Sequence, residues 1–323
     1  MDLLSDILSH MQLSGTLYFR TSFTSPWSIR VPSYENVARF HFAHRGRCLV
    51  RIEPDKPAIV LEQGDLIIIM RGAPHTLFCD PTAETKTVQL ESVIEDSGFD
   101  GTGALVYGEY GTHHETQLVC GHFAFAKDAH HLLIDTLPAH IKIKNYGESA
   151  GTWMENTLKV IGNEAGLGQM GSDLIALKMS EIIFAQALRT YMESEGQDSP
   201  VLAGFTDQNI ARALTAIHDA PGHNWTLEEL AQIAGMSRTA FTSRFSKCMT
   251  VTPLGYITNW RMQIARMELV NSSRSIIEIA ENSGYRSEAA FSRVFKKYHT
   301  KAPATYRRNI RSNQEAESKK IAS

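Results

Sequence analysis

At 323 residues the chain is long enough for two domains with separate cores. Its net charge of −3 hides an asymmetry: residues 205–308 hold 14 Lys and Arg against 8 Asp and Glu, and residues 1–204 hold 15 against 25. That distribution suits a nucleic-acid-binding end joined to an end that does not bind nucleic acid. The 4 cysteines have no paired spacing and read as thiols of a reducing cytoplasm, not as a disulfide framework. No window reaches the ~18 apolar residues of a membrane span, and Met1–Gln12 has neither the basic start nor the apolar core of a signal peptide. A cytoplasmic protein with no membrane partner is the expectation.

In chain order, Met1–Met11 places Leu3, Leu4, Ile7, Leu8 and Met11 on one face and predicts a short amphipathic helix. From Gly15 the period shortens to that of strands. Leu17–Phe23, Trp27–Val31, Ala38–His44, Cys48–Ile52, Ala58–Leu61 and Asp65–Met70 are short β runs separated by turn residues. Many short strands at even spacing predict a β-barrel or sandwich. The segment Gly64-x5-Met70-x-Gly72-x2-His75 is similar to the second motif of cupin barrels, with Met70 where proline is usual. S-P-W-S-I-R-V-P (25–32), F-H-F-A-H-R-G-R-C (40–48) and V-C-G-H-F-A-F (119–125) resemble the cupin subgroup found fused to regulatory DNA-binding domains.

Four residues could make a site in such a barrel. His75 matches the motif histidine, His41 lies on a neighbouring strand, and Cys120 and His122 are two apart and so share a strand face. Three imidazoles and a thiolate would suit Zn²⁺ or another divalent metal in tetrahedral geometry. Against this, the same residues read as hydrogen-bonded and apolar core fillers. A thiol sensor built on Cys48, Cys79 or Cys120 and a plain small-molecule pocket are further readings. The H-x-H pair of catalytic cupins is missing, since the sequence offers His41-x-x-His44.

Ser92–Gln117, rich in glycine and containing His113 and His114, predicts a long loop. Trp153–Ile161 and Asp173–Tyr191 predict helices, the second with an apolar surface wide enough to reach a second copy of the chain. Glu193–Pro200 reads as a linker and Thr206–His218 as a helix stopped at Pro221-Gly222. These readings divide the chain into a cupin-like sensor barrel (1–140), a helical dimerisation and linker region (141–203), an all-α domain (204–310) and a disordered tail (311–323).

The all-α domain holds a degenerate repeat. Ser237, Ala240, Phe241 and Phe245 recur as Ser287, Ala290, Phe291 and Phe295. Each copy opens with a capping box, Thr226-x-x-Glu229 or Ser275-x-x-Glu278. Apolar residues follow at helical spacing: Leu227, Leu230 and Ile233, then Ile276, Ile279 and Ala280. Gly235 and Gly284 end those helices in the left-handed region, and Ser237 and Ser287 cap the next ones. In the second helices the alanine and the two phenylalanines turn inward. Arg238, Thr239, Thr242, Ser243 and Arg244 are left on the outer face of one, and Glu288, Ala289, Ser292, Arg293 and Lys296 on that of the other. A short polar and basic helix of this kind can enter the major groove. Pro253–Val270 predicts one connecting helix with Leu254, Ile257, Ile264 and Met267 as its apolar stripe. Its length of roughly 27 Å approaches the ~34 Å between successive major-groove segments.

The words T-L-E-E-L-A, G-M-S-R-T-A-F-x-x-R-F, P-L-G-Y-I-T-N-W-R-M, A-F-S-R-V-F-K-K-Y and P-A-T-Y-R-R resemble the DNA-binding domain of AraC/XylS-type transcriptional regulators over about 100 C-terminal residues. The resemblance implies base-facing positions at Thr239, Thr242, Ser243, Glu288, Ala289, Ser292 and Arg293. It also implies a homodimer on promoter half-sites, RNA polymerase as the partner of an activator, and a signal taken by the cupin domain. The expected function is a sequence-specific transcriptional regulator, in the activating sense, that senses a small molecule, metal or oxidant. The opposing reading is a cupin metalloenzyme with a DNA-binding appendage, and a third is a constitutive DNA binder with an inert barrel.

Overall fold

A computed structural model of the protein describes residues 2–101, 103–108, 115–126, 128–146, 157, 170–194 and 199–321. The described elements are, in order, α1 (Leu3–His10), β1 (Ser14–Thr24), β2 (Ser28–Val31), β3 (Val37–Arg45), β4 (Cys48–Arg51), β5 (Ile59–Leu61), β6 (Leu66–Ile69), β7 (His75–Phe78), β8 (Val88–Gln89), α2 (Leu90–Ser97), β9 (Ala104–Tyr107), β10 (Glu115–Ala124), α3 (Leu132–Asp135), β11 (His140–Ile143) and α4 (Ser172–Ser194). The C-terminal helices are α5 (Pro200–Thr206), α6 (Gln208–Asp219), α7 (Leu227–Ile233), α8 (Arg238–Met249), α9 (Pro253–Asn271), α10 (Ile276–Asn282), α11 (Glu288–His299) and α12 (Pro303–Ile321). No described helix is long and apolar enough to cross a membrane.

The chain forms two compact units. One comprises Gln12–Lys127 and Leu137–Glu193; the other comprises Met1–Met11, Asp128–Thr136 and Ser194–Ser323. The first boundary therefore differs from the expected one near residue 140. Helix α1 and the segment 128–136 belong with the C-terminal helices, because their polar and aromatic partners lie there.

In the β unit, the strands form a six-stranded sheet of order β11-β6-β3-β10-β1-β9 and a five-stranded sheet of order β5-β4-β7-β2-β8. Most pairs are antiparallel; β1 with β9 and β2 with β8 are parallel. The architecture is cupin-like, but among the described residues the two sheets do not close into the single hydrogen-bonded barrel expected. A common core of Phe23, Trp27, Ile29, Val50, Ile67, Leu77 and neighbours fills the unit, all nearly inaccessible. Part of the expected loop Ser92–Gln117 is regular structure, since α2 continues to Ser97, β9 adds an edge strand and β10 starts at Glu115. Val93 and Leu105 are buried against the core, which glycine content alone did not reveal. His113 and His114, and almost all of Trp153–Ile161, lie outside the described residues. In α4, Ile183, Phe184, Ala187 and Leu188 are buried whereas Leu174, Ile175 and Ile182 are exposed.

The motif turn after β6 explains its glycine. Arg71 and Gly72 both have φ of 56°, and a Cβ on Gly72 would stand 1.8 Å from the Tyr34 carbonyl oxygen. Only glycine fits there, and the turn delivers His75 to the start of β7.

The helical unit follows the sequence grammar closely. Both capping boxes form, with each hydroxyl accepting from the third-residue amide and each glutamate accepting from the cap amide. Gly235 (φ 67°) and Gly284 (φ 77°) take the left-handed conformation. Ser237 and Ser287 cap α8 and α11 through the amides of Ala240 and Ala290. Phe241, Phe245, Phe291 and Phe295 are completely buried, but Ala240 is exposed and Ala290 only half-buried.

The expected apolar stripe of α9 is misphased. Leu254 is 50% exposed and Ile264 and Met267 are half-buried, whereas Tyr256, Trp260, Met262, Ala265, Arg266 and Leu269 join Ile257 inside. A helix wrapped on several sides has no single stripe to read. The expected disordered tail at 311–323 is helical as far as Ile321.

Candidate functional site

The two second helices of the repeat, α8 and α11, carry the candidate nucleic-acid interface, and they are not equivalent. On α8, Arg238, Thr239, Ser243 and Arg244 are exposed and Thr242 is half-buried. Both Nε and Nη2 of Arg244 donate to Asp207 Oδ2. The other oxygen of Asp207 accepts from the amides of Asn209 and Ile210 at 3.0 and 3.1 Å and so caps α6. Arg244, itself half-exposed, is thus tied to the helical scaffold by an ion pair that it would have to leave to reach DNA. Arg238 pairs with Glu228 at 2.8 Å, with both side chains more than 60% exposed. Such a pair contributes little, so Arg238 can exchange it for a phosphate. The hydroxyl of Thr242 donates back to the Arg238 carbonyl at 2.9 Å.

On α11, Glu288, Ala289, Arg293 and Lys296 are exposed and Ser292 is half-buried. Among the described residues Arg293 and Lys296 have no carboxylate partner, in contrast to Arg244. The turn before α11 is also the more closely packed of the two. A Cβ on Gly284 would stand 2.6 Å from the Gly222 carbonyl oxygen and 2.9 Å from Arg261 Nη2. Arg261 is itself tied to the Pro221 and His223 carbonyls at 2.7 Å each.

In the β unit the structure brings together three of the four candidate metal ligands. His41 stands opposite Cys120 in the β3–β10 ladder, whereas His122 is opposite Arg39. Cys120 Sγ lies 3.1 Å from His41 Nδ1, His41 Nε2 lies 2.8 Å from His75 Nε2, and His75 Nδ1 lies 2.9 Å from the Ala73 carbonyl. A carbonyl only accepts, so His75 Nδ1 carries its proton. The rest follows by exclusion: His41 Nε2–H donates to His75, and the Cys120 thiol donates to His41 Nδ1. Burial drives the pKa of His41 far down and that of His75 to about 4, and pushes the Cys120 thiol far above its usual range. Burial likewise raises the Cys48 thiol to about 12. All three members of the chain are neutral near pH 7, and neither buried thiol is a ready nucleophile.

This arrangement does not fit a metal. The donors stand in series, with His41 turning opposite ring nitrogens to its two neighbours, whereas tetrahedral Zn²⁺ needs them to converge at ~2.0–2.3 Å. Among the described residues no group of three His, Cys, Asp or Glu side chains could hold an ion. Beside the chain lies a cavity of about 30 Å³, lined by Phe23, Val31, Leu77 and Leu90 with Arg39 and Thr21 as its polar edge. Arg39 Nε is buried with no hydrogen-bond partner among the described residues, and its guanidinium lies 4.0 Å from the centre of the Tyr34 ring.

A second polar chain, in the helical unit, left no sequence signal because its members are scattered. Leu133 N–H donates to His131 Nδ1 at 3.2 Å, His131 Nε2 lies 3.2 Å from the Tyr256 hydroxyl, that hydroxyl lies 2.8 Å from His218 Nε2, and His218 Nδ1 lies 2.7 Å from Asp6. Each proton can point toward Asp6. The series joins α1, the segment 128–136, α6 and α9 in one unit.

Known proteins share both halves. The chain matches a family model described as Cupin over residues 2–193 and one described as Helix-turn-helix domain over residues 230–309. It is 30% identical over 318 residues to an AraC-like transcription regulator of Streptomyces antibioticus, covering 96% of this chain and 99% of that one. It is 24% identical over 313 residues to RclR, an RCS-specific HTH-type transcriptional activator of Escherichia coli, covering 96% and 99%. Among solved structures, the DNA-binding domain of AdpA in complex with a target DNA matches 34% of this chain and 97% of that one, at 28% identity and a TM-score of 0.32. End-to-end likeness at this identity, over two paired helix-turn-helix units, makes the chain a member of the AraC family of DNA-binding transcription regulators.

Proposed function

We propose that the protein reads specific promoter half-sites as a cytoplasmic homodimer, chiefly through α11, and activates transcription in response to an effector taken by the cupin unit. The observation that carries this reading is the contrast between Arg293, exposed and without a carboxylate partner, and Arg244, bound to Asp207. An arginine free to present its fork can grip guanine bidentately, whereas Arg244 would first have to give up Asp207. Phosphate contacts by Arg238 and Lys296 would supply affinity without sequence preference. The exposed Leu174, Ile175 and Ile182 of α4 support a contact with a second copy.

For the effector, the relevant volume is small. The cavity beside His41 admits about one water. Anything larger must part its walls, so binding and rearrangement are one event, which is what a sensor needs. The mostly apolar walls favour a small, mostly apolar molecule.

The test uses DNA selected by the full-length protein from a randomised library. Arg293→Ala should weaken binding to the selected site by ~1–3 kcal/mol and relax preference at one base pair. Equal weakening on selected and unselected DNA would show that Arg293 holds only phosphate.

A further inference from the structure

We propose that Cys48 and Cys79 are a reversible redox-modification site of the β unit, joined as a cross-strand disulfide when a peroxide oxidises Cys79. Strands β4 and β7 pair antiparallel, with Leu49 opposite Phe78, Val50 opposite Leu77 and Arg51 opposite Thr76. One residue further, the same register sets Cys48 beside Cys79. Val50 and Leu77 both lie in the core, so Cys48 and Cys79, each two residues away on its strand, share that inner face. Both are free thiols, Cys48 within the core cluster and Cys79 packed against it. The Cys79 amide donates to the Trp27 carbonyl at 3.1 Å, on the β2 side. Toward β4 the two cysteines are therefore a non-hydrogen-bonded pair, the closer kind, with Cα atoms ~4.5 Å apart. Disulfides usually span ~4.4–6.8 Å between Cα atoms, so the bond can close between strands held in this register.

Burial divides the roles. Cys48 is fully buried, so oxidant does not reach it first. Cys79 is half-buried, and its sulfur accepts from the Trp27 amide at 3.3 Å and from the Ser25 hydroxyl at 3.4 Å. Two donors favour the thiolate, which is the reactive form. Asp80 opposes them. Its Oδ2 accepts from the Cys79 thiol at 3.2 Å, and the Thr82 hydroxyl and that thiol hold its carboxyl down at about 2. An ionised carboxylate beside the sulfur slows the first step. In that step the Cys79 thiolate attacks the O–O bond of hydrogen peroxide, forming a sulfenic acid and releasing hydroxide. The Cys48 sulfur then displaces the hydroxyl group, which takes the Cys48 proton and leaves as water. Two thiols and one peroxide thus give one disulfide and two waters. Adjacency compensates for the scarcity of thiolate at Cys48. Cys120 is withdrawn from the reaction by its own burial and its bond to His41.

Closing the bond turns the Cys79 sulfur away from Trp27 and Ser25 and removes the acceptor of both. Those residues lead into β2, whose Ile29 and Val31 line the cavity beside His41. Oxidation therefore bears on the cavity proposed for the effector. The disulfide itself needs neither an effector nor DNA to form, and so is tested apart from them.

The experiment treats the reduced full chain with hydrogen peroxide, blocks the remaining thiols with N-ethylmaleimide after denaturation, and maps the peptides by mass spectrometry with and without dithiothreitol. Wild type should give one intramolecular disulfide, between Cys48 and Cys79, opened by dithiothreitol, with Cys120 and Cys248 alkylated. Cys48→Ala should lose the disulfide and leave Cys79 as a sulfenic acid that dimedone traps. Asp80→Asn keeps an acceptor for the Thr82 and Ala83 amides and removes the charge. It should form the disulfide about threefold faster, a gain of roughly tenfold in thiolate being partly offset by lower nucleophilicity. No disulfide in wild type, or one that joins Cys48 to Cys120 or links two chains through Cys248, overturns the proposal. An unchanged rate in Asp80→Asn overturns the part assigned to Asp80. If Cys48→Ala fails to fold, Cys79→Ala takes its place, and a disulfide at Cys48 in that variant overturns the pairing.

Discussion

Replacing Gly284 by alanine should harm the DNA-binding unit far more than the same change at Gly235. Both residues have left-handed φ, 77° and 67°, and both end the first helix of a helix-turn-helix unit. An alanine there costs about 1–2 kcal/mol from backbone strain alone. At Gly235 nothing else intervenes, since the nearest atom is an Arg212 nitrogen at 3.9 Å. At Gly284 the new Cβ would meet the Gly222 carbonyl oxygen at 2.6 Å and the Arg261 guanidinium at 2.9–3.0 Å. Neither can yield easily: one is backbone, and the other is fixed by two bonds to the 221–223 turn. Overpacking of this kind adds about 1–3 kcal/mol. For a unit of about 150 residues, ~2–4 °C per kcal/mol converts these sums to a loss in Tm of roughly 10 °C for Gly284→Ala and roughly 4 °C for Gly235→Ala. Scanning calorimetry of the full chain measures both, with the relevant transition identified by its upward shift on adding DNA. Equal losses at the two glycines would refute the argument, because the contact with the 221–223 turn would then contribute nothing.

The Arg244→Ala variant should keep its base preference on selected DNA while α6 loses part of its anchoring, at about 1 kcal/mol or less for a half-exposed pair; a change of preferred base on repeating the selection would contradict the role assigned to Asp207. Stability of the β unit should fall as the pH drops below about 6.5. The folded His75 resists protonation until about pH 4 and His41 until still lower, whereas the unfolded chain takes up protons from 6.5 downward. The sign is that of a depressed pKa: the contribution is complete above 6.5 and lost through the window down to 4, with a limit of roughly 3 kcal/mol for His75. Urea unfolding between pH 7 and 4 reads it, and a His75→Gln protein with an equally steep profile would show that the slope arises elsewhere.

The repeat shows what local sequence can determine. Caps, turn glycines and inward phenylalanines act over four or five residues, so Thr226, Glu229, Ser275, Glu278, Gly235 and Gly284 could be placed before any contact was known, and each takes its expected role. The strand runs and the Gly72 turn were legible for the same reason. The groups that decide function at each site depend on partners far along the chain. Arg244 aligns with Val294 in the repeat and Arg293 with Ser243, and nothing in the sequence shows that Asp207, 37 residues away, pairs with Arg244. His41, His75 and Cys120 fitted a metal by type and spacing, but ring orientation puts them in series. The chain from Asp6 through His218 and Tyr256 to His131 brings together residues up to 250 positions apart. Periodicity reports which face of an element is apolar. It cannot report which distant carboxylate, carbonyl or ring that face will meet, because that is fixed only when the elements pack.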